Sequence, residues 1–211
     1  PGDRIPAEIS HRRTIVKSTF ARVLPVIAVA LGIVASAAVA QAPASKASFG
    51  SEISRELTDV EKKLVSLAEA MPAEKFGWRP AEGVRSVSEV YMHVAGGNYM
   101  FPTTIGIKRP EGGVGREMEK TVTEKAKVVE MLKGSFDHVR KAAESVPDSD
   151  LDKTVKFFSW VKTERQMLLL MLNHAHEHLG QSIAYARMNG VVPPWSEGPP
   201  PAPEKKPATK S

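Results

Sequence analysis

The chain has 211 residues, of which 42% are hydrophobic and 25% are charged, and its formal net charge is +5. This length accommodates one ordinary domain or two at most, and the composition is that of a globular protein and argues against global disorder. Because cysteine is absent, disulfides, thiolate metal sites and a catalytic cysteine are excluded. Any metal site must therefore use His, Asp, Glu or water.

The basic excess is concentrated near the N-terminus. Residues 1–40 contain five basic and two acidic residues, which leaves 24 basic against 22 acidic residues downstream. A body this close to neutral lacks the electrostatic footprint that nucleic-acid binding requires. The sequence therefore predicts no nucleic-acid partner.

Residues 1–40 are typical of a secretory signal peptide. A basic stretch precedes 18 uncharged residues, 23–40, which end in the small-x-small cleavage pattern Ala-Val-Ala. An uncleaved membrane anchor is the alternative, since 18 apolar residues just reach spanning length. Arg12-Arg13 resembles a twin-arginine signal, so the general and twin-arginine export routes both remain open. We expect a mature protein of residues 41–211, periplasmic or extracellular, without stable membrane insertion.

Composition divides the remainder into three parts. Residues 41–50 are rich in Ala and Ser and are interpreted as a linker. Residues 191–211 contain seven prolines and are predicted to form an extended or disordered tail. Residues 51–190 between them are the expected domain.

Amphipathic spacing identifies two of four predicted helices. Apolar residues recur at alternating intervals of four and three positions from Ile53 to Met71, which predicts a helix over about 52–71 that ends before Pro72. A similar apolar face predicts a helix over about 124–146. Both helices should bury one face against other elements.

Capping boxes begin the other two predicted helices. Ser-Val-Ser-Glu at 86–89 and Thr-Glu-Arg-Gln at 163–166 predict helices over about 87–101 and from 163 to about 188, the second followed by Gly190 as its C-cap. The connections are long, and no hairpin or alternating strand pattern competes. The predicted fold class is all-α, a four-helix bundle with long crossover loops.

Three histidines fall on inward faces of the second and fourth predicted helices. His174 and His178 are one turn apart in one apolar sector, where an i, i+4 pair can bind one metal ion. His93 lies on the apolar side of the second helix, and Gly96 and Gly97 should leave space beside it. Since a bundle brings inward faces together, the three imidazoles form a candidate site with open coordination positions, as catalytic metal sites have.

Spacing alone leaves two other interpretations of these histidines open. Isolated buried histidines are more often satisfied core residues than ligands, and the run His-Ala-His-Glu-His at 174–178 resembles a surface tract with adventitious metal affinity. His176 lies on the opposite side of a regular helix and cannot join the pair. Three unpaired imidazoles in one small core would carry a desolvation cost, which favours the metal site.

Four further residues are candidates to support a ligand or a substrate. Gln181 and Tyr185 share the helical sector of the histidine pair, Glu177 lies at its edge, and Glu89 precedes the histidine of the second helix by one turn. Each could hydrogen-bond a ligand imidazole, orient a substrate or act as a base. Helix packing is the alternative for Gln181 and Tyr185, and a solvated helix face is the more common role of either glutamate. The catalytic residues are therefore left unassigned.

The fourth predicted helix carries a second apolar sector. Its members lie on the side away from the histidine pair: Leu168, Leu172, Ala175, Leu179, Ile183 and Ala186. This sector indicates either a central helix that contacts two neighbours or a homodimer interface.

Two motifs resemble signatures of the DinB/YfiT-like superfamily. Trp-Arg-Pro at 78–80, the capping box at 86–89 and His-Val-Ala at 93–95 resemble the first half of the family, and residues 173–181 resemble its second signature. The resemblance covers about residues 51–195. It implies a four-helix bundle in which one divalent transition metal, such as zinc, nickel, iron or manganese, is bound by a set of three histidines: His93, His174 and His178.

The resemblance is less specific for the reaction. It implies a metal-dependent hydrolase or transferase acting on a small molecule, since a three-His metal site activates water or an external thiol for attack. A thiol-dependent S-transferase is an alternative that fits poorly with export, because low-molecular-weight thiols are mainly cytoplasmic. A non-catalytic metal- or ligand-binding protein is the other alternative.

Overall fold

The computed structural model describes residues 47–196, in which four long helices form a bundle. These are α1 (Phe49–Ala70), α2 (Val87–Met100), α4 (Lys125–Glu144) and α5 (Glu164–Met188), and a short helix, α3 (Met118–Thr121), lies in the second connection. Around the bundle the order is α1, α4, α2, α5, because each long helix makes its main contacts with the next in this cycle. The predicted all-α four-helix bundle is confirmed.

Local sequence signals set several helix ends. Both predicted capping boxes form, Ser86 with Glu89 at the start of α2 and Thr163 with Gln166 at the start of α5. In each pair the side chain of one residue accepts from the backbone of the other, which satisfies two otherwise unpaired N–H groups. Gly190, with a φ of 76°, closes the end of α5 in a Schellman arrangement.

The first helix begins earlier than predicted. Its N-cap is Ser48, so the helix contains Phe49 and Gly50, which composition had placed in the linker 41–50. A side chain at Gly50 would clash with the carbonyl oxygen of Ala143, so glycine lets α1 and α4 approach closely here. The N-cap could not be recognised from the sequence, because Ser48 is one of two serines in the Ala/Ser-rich stretch 41–50.

Other predicted segments lie wholly or partly outside the described residues. These are the signal peptide 1–40, the linker before residue 47 and the tail after residue 196. The described start of the tail includes a 3₁₀ turn at Pro194–Ser196 that contacts α1. None of the helices within 47–196 combines the length and the apolar character needed to cross a membrane.

The connection between α4 and α5 contains a β-hairpin. Strands β1 (Thr154–Phe157) and β2 (Trp160–Thr163) are antiparallel. The expectation that no hairpin forms was therefore wrong. The hairpin has a weak sequence signal, because each strand has only four residues and the two-residue turn lacks the glycine or asparagine that usually marks one. The first turn residue, Phe158, has a φ of 53°, in the left-handed region that bulky residues rarely adopt.

The core lies between the four long helices and is formed by apolar side chains from each of them. Fully buried examples are Leu57, Leu64, Leu132, Phe136, Met167 and Met171. Burying one such side chain stabilises the fold by roughly 1.5–3 kcal/mol relative to leaving it exposed. In the second apolar sector of α5, Leu168, Ala175 and Ala186 are also fully buried. This sector therefore belongs largely to the core. Helix α5 as a whole contacts both α1 and α2.

Candidate metal centre

The three candidate ligands come together between α2 and α5. One nitrogen from each of His93, His174 and His178 lies within 4.8 Å of the others. The i, i+4 spacing places two of the rings on one face of α5, and the packing of α2 against that face brings in the third. His176 is exposed on another face, where its Nδ1 donates to the carbonyl oxygen of Leu172 at 3.2 Å.

His93 is oriented by a carboxylate from the short helix α3. Its Nδ1 lies 2.9 Å from Oε2 of Glu119, whose Oε1 accepts from Nε of Arg85 at 2.6 Å. Burial alone would raise the pKa of Glu119, but the hydrogen bonds from Arg85 and His93 bring it below its ordinary value. The ionised carboxylate only accepts, so Nδ1 of His93 donates, and Nε2 is the ring nitrogen that this bond leaves available to a metal.

His178 is oriented by a hydrogen-bond chain whose direction follows from its last link. The hydroxyl of Tyr185 donates to the backbone carbonyl of Arg85 at 3.1 Å, so it must accept from Nε2 of Gln181, 2.9 Å away. The amide oxygen of Gln181 therefore faces Nδ1 of His178 at 2.8 Å. That nitrogen must donate, and Nε2 of His178 is left free.

Arg85 anchors both arrangements. Its guanidinium holds the carboxylate that bonds His93, and its backbone carbonyl ends the chain that begins at His178. Arg85 immediately precedes Ser86, the N-cap of α2. The start of α2 is thus linked to the orientation of two candidate ligands.

His174 is positioned by packing. Its buried Nδ1 has no hydrogen-bond partner among residues 47–196. Its ring lies against Gly97, where a Cβ would come within 2.6 Å of Cε1, and edge-on to Phe101, with ring centroids 5.0 Å apart. The space that glycine was expected to leave beside His93 is occupied by the imidazole of His174.

This donor set fits a divalent transition metal. Burial, followed by the nearby charges of His178, His93 and Arg85, lowers the pKa of His174 to about 3. Burial also lowers the pKa of His178. Both rings are therefore neutral near pH 7, the form that coordinates metals, and the orphaned buried nitrogen of His174 marks a polar site that a bound ion would satisfy.

The other sequence candidates divide into two groups. Gln181 and Tyr185 belong to the chain that orients His178, whereas Glu177 and Glu89 lie away from the ligands. Glu177 is exposed. The Glu89 carboxylate accepts from the backbone of its N-cap at 2.8 Å and from Arg79 at 3.2 Å, so its contacts belong to the start of α2.

Sequence reasoning missed Arg85 and Glu119. Helix α3 has four residues, too few for a periodic signal, and no local pattern places it beside α2. A metal-bound histidine usually donates its other nitrogen to a carboxylate or a carbonyl. That rule required a partner for His93, but it could not choose among the glutamates of the connecting loops.

A cavity of about 620 Å³ lies beside His93 and His174. Phe101 and the hairpin residues Phe157 and Phe158 supply aromatic wall, and Glu119 and arginine side chains supply the polar part. Small-molecule sites typically measure about 300–1,000 Å³. The candidate metal centre therefore borders a space large enough for a small organic ligand.

Comparisons with known proteins agree with this architecture. A family model described as the DinB superfamily matches residues 56–182, more than half of the chain and inclusive of all three histidines. A DinB-like protein from Bacillus cereus ATCC 10987 has a TM-score of 0.59 at 18% identity, over 67% of this chain and 93% of that chain. A DinB-like protein from Bacillus subtilis, YjoA, has a TM-score of 0.54 at 21% identity, over the same two shares. These structural likenesses concern the fold alone, and no match was found among curated proteins.

Proposed function

The chain belongs to the DinB superfamily, and from this premise we propose that it is a metalloprotein in which His93, His174 and His178 bind one divalent transition metal. The observation that carries the proposal is the convergence of three imidazole nitrogens within 4.8 Å. Imidazole suits zinc, nickel and iron alike. The hydrogen-bond partners of His93 and His178 support the same assignment, because they leave Nε2 of each ring available.

We further propose that the protein acts on a small molecule as a metal-dependent hydrolase or transferase. A metal held by three histidines retains open coordination positions and supplies Lewis acidity toward water and substrate. Glu119 is the one carboxylate among the described residues that line the cavity, and both of its oxygens are already bonded. Its role is therefore to hold His93 in place, and the cavity walls orient the substrate.

Reconstitution tests this function. Metal-free protein would be reloaded separately with zinc, nickel, manganese or iron(II), and a panel of aryl esters, amides and alkyl electrophiles would be assayed with and without a small thiol. We expect turnover that requires metal and does not require thiol. His174→Ala should be inactive, and the matched control His176→Ala should retain activity because that ring is exposed on another face.

Two outcomes would contradict a thiol-independent hydrolase or transferase. Tight metal binding without turnover on any substrate would favour a binding protein. Turnover that appears only with a thiol would favour an S-transferase. Retention of metal by His174→Ala would contradict the three-His site itself.

We also propose that the protein is exported and works outside the cytoplasm on a small-molecule substrate, without nucleic acid and without stable membrane insertion. The support is the signal-like composition of residues 1–40 and the near-neutral charge of the remainder. Fractionation of cells that express the full chain, with N-terminal sequencing of the product, should find a periplasmic or secreted form that begins at residue 41. An uncleaved cytoplasmic or membrane-bound product would contradict export. A homodimer is a further proposal, which light scattering would test.

A further inference from the structure

The cavity beside the histidines has a cationic rim. Three arginines line it, Arg85, Arg109 and Arg116, against the single carboxylate of Glu119. Arg85 and Glu119 neutralise each other in their ion pair. Within residues 47–196 neither Arg109 nor Arg116 forms an ion pair or a side-chain hydrogen bond, so two positive charges remain at the cavity.

The loop between α2 and α3 holds one of these arginines in place. The aliphatic stem of Arg109 lies across Gly113, where a Cβ would come within 2.8 Å of its Cγ. The acidic neighbour Glu117 folds over Gly115 and does not line the cavity. The loop thus presents two arginines to the cavity, and the carboxylate of Glu117 lies beside a lining glycine without lining the cavity itself.

The aromatic wall is formed by rings in contact with one another. Phe101 and Phe157 have centroids 5.8 Å apart, and Phe157 and Phe158 have centroids 4.6 Å apart. Phe158 is 76% exposed although it lines the cavity, and its φ of 53° is unfavourable for a bulky residue. An exposed ring on a strained backbone contributes little to the core, which indicates a role in binding.

We propose that this cavity binds a small organic anion with an aromatic or flat apolar body, of which an aryl carboxylate is the simplest case. Arg109 and Arg116 bind the anionic group, because planar guanidinium forks match carboxylate oxygens. Phe157 and Phe158 pack against the body. The assignment of this anion as the substrate rests on the proposed function, whereas its binding to the arginines does not require the metal.

Binding of matched probes tests the proposal. Calorimetry would compare 3-phenylpropionate with the neutral 3-phenylpropanol and with propionate, which lacks the ring, on the protein as purified and after chelation. We expect 3-phenylpropionate to bind best in both forms. The double variant Arg109→Gln/Arg116→Gln should weaken its binding by tenfold or more, whereas Lys108→Gln, an exposed cation that does not line the cavity, should leave it unchanged.

A second variant tests the aromatic wall. Phe158→Asn removes the ring and introduces a residue that tolerates the left-handed region. We expect weaker binding of 3-phenylpropionate and no loss of thermal stability, a combination that a purely structural ring would not give. Equal binding of propionate would overturn the role of the rings.

Three outcomes separate this proposal from the metal function. Equal binding of 3-phenylpropanol, or no binding of any probe, would overturn the anion site. Binding that disappears on chelation and ignores the arginine substitutions would show the carboxylate to be a metal ligand only, which overturns the arginine assignment and leaves the metal site intact. Arginine-dependent binding in a protein that never takes up metal would support the anion site while the metal function fails.

Discussion

The candidate ligands differ in how the protein holds them. His93 and His178 are oriented by hydrogen bonds to Glu119 and Gln181, and both arrangements lead to Arg85. His174 makes no such bond through its buried Nδ1 and is held by packing against Gly97 and a phenylalanine ring. Hydrogen bonds fix the tautomer of a ring, whereas packing fixes only its place. Metal binding through His93 and His178 should therefore be sensitive to the loss of their hydrogen-bond acceptors. Metal binding through His174 should be sensitive to atoms added beside its ring.

The largest effect is expected from an added methyl group at Gly97. Gly97→Ala would bring a Cβ within 2.6 Å of Cε1 of His174, so the ring must leave its place. We expect metal affinity to fall by more than the roughly 10- to 100-fold typical of losing an outer hydrogen-bond partner. Competition with a chromophoric chelator measures this change.

Gly96→Ala is the matched control for that substitution. Both glycines lie in α2. A Cβ on Gly96 would lie 3.8 Å from Cγ1 of Val114, which is an ordinary van der Waals contact. We expect unchanged metal affinity and a stability gain of up to about 1 kcal/mol, because alanine is favoured over glycine inside helices. Equal metal loss in both variants would show that the helix, and not the space for His174, is the sensitive feature.

Removing a hydrogen-bond partner should have the next largest effect. Glu119→Ala and Gln181→Leu each leave one imidazole without its Nδ1 acceptor. We expect metal affinity to fall by about 10- to 100-fold in each. Glu119→Gln keeps an acceptor oxygen for His93 and should recover part of the loss. No change in either variant would contradict orientation by these bonds.

A smaller effect on metal affinity is expected from Tyr185, which lies one hydrogen bond further from His178 than Gln181 does. Tyr185→Phe removes the hydroxyl that accepts from Gln181 and donates to the carbonyl of Arg85, but it keeps the ring that packs edge-on against Trp78. We expect metal affinity to fall by less than about tenfold, since Gln181 can still accept from the imidazole. A loss as large as that of Gln181→Leu would contradict an action of Tyr185 through Gln181 alone.

The Glu89 carboxylate bonds Ser86 and Arg79 and none of the candidate ligands, so its removal should affect stability without affecting metal binding. Although burial alone would raise it, the pKa of Glu89 is lowered by the Ser86 backbone hydrogen bond and by Arg79. We expect Glu89→Ala to lower the free energy of unfolding by about 1 kcal/mol near pH 7. Glu89→Gln, which keeps the cap but not the charge, should lose less. Metal affinity should be unchanged in both.

The pH dependence of Glu89 has a defined sign. Since its folded-state pKa is lowered, its charge stabilises the fold above the ordinary carboxyl pKa, and this contribution is lost as pH falls through the lowered value. The stability difference between the wild type and Glu89→Gln should therefore shrink on acidification. Denaturant unfolding at several pH values measures it, and a difference that grows toward acid would contradict the assignment.

The sequence predicted the features that depend on residues close together along the chain. Reciprocal capping at Ser86 and Thr163 requires only residues three positions apart, so both helix starts were visible. The i, i+4 spacing of His174 and His178 placed them on one inward face, and the apolar neighbours of His93 placed it on another. Those faces made the three histidines a candidate set, and the family resemblance favoured the metal site over the two alternatives that spacing left open.

Contacts between distant segments could not be predicted in the same way. Glu119 reaches His93 across 26 positions through a helix of four residues, and Arg85 accepts from Tyr185 across 100 positions. The sequence predicted that Gly97 makes space beside His93, but it could not show that the ring of His174 fills that space. The hairpin was missed because its turn residue, Phe158, adopts a conformation that its side chain disfavours.

Metal content per chain tests the central claim most directly. It would be measured on untagged protein after reconstitution and removal of loosely bound ions, for the wild type, for each single variant His93→Ala, His174→Ala and His178→Ala, and for the control His176→Ala. The three-His site predicts about one bound transition metal per chain in the wild type and in His176→Ala, and most of it lost in the other three. Metal-free wild type, or equal loss in His176→Ala, would contradict it.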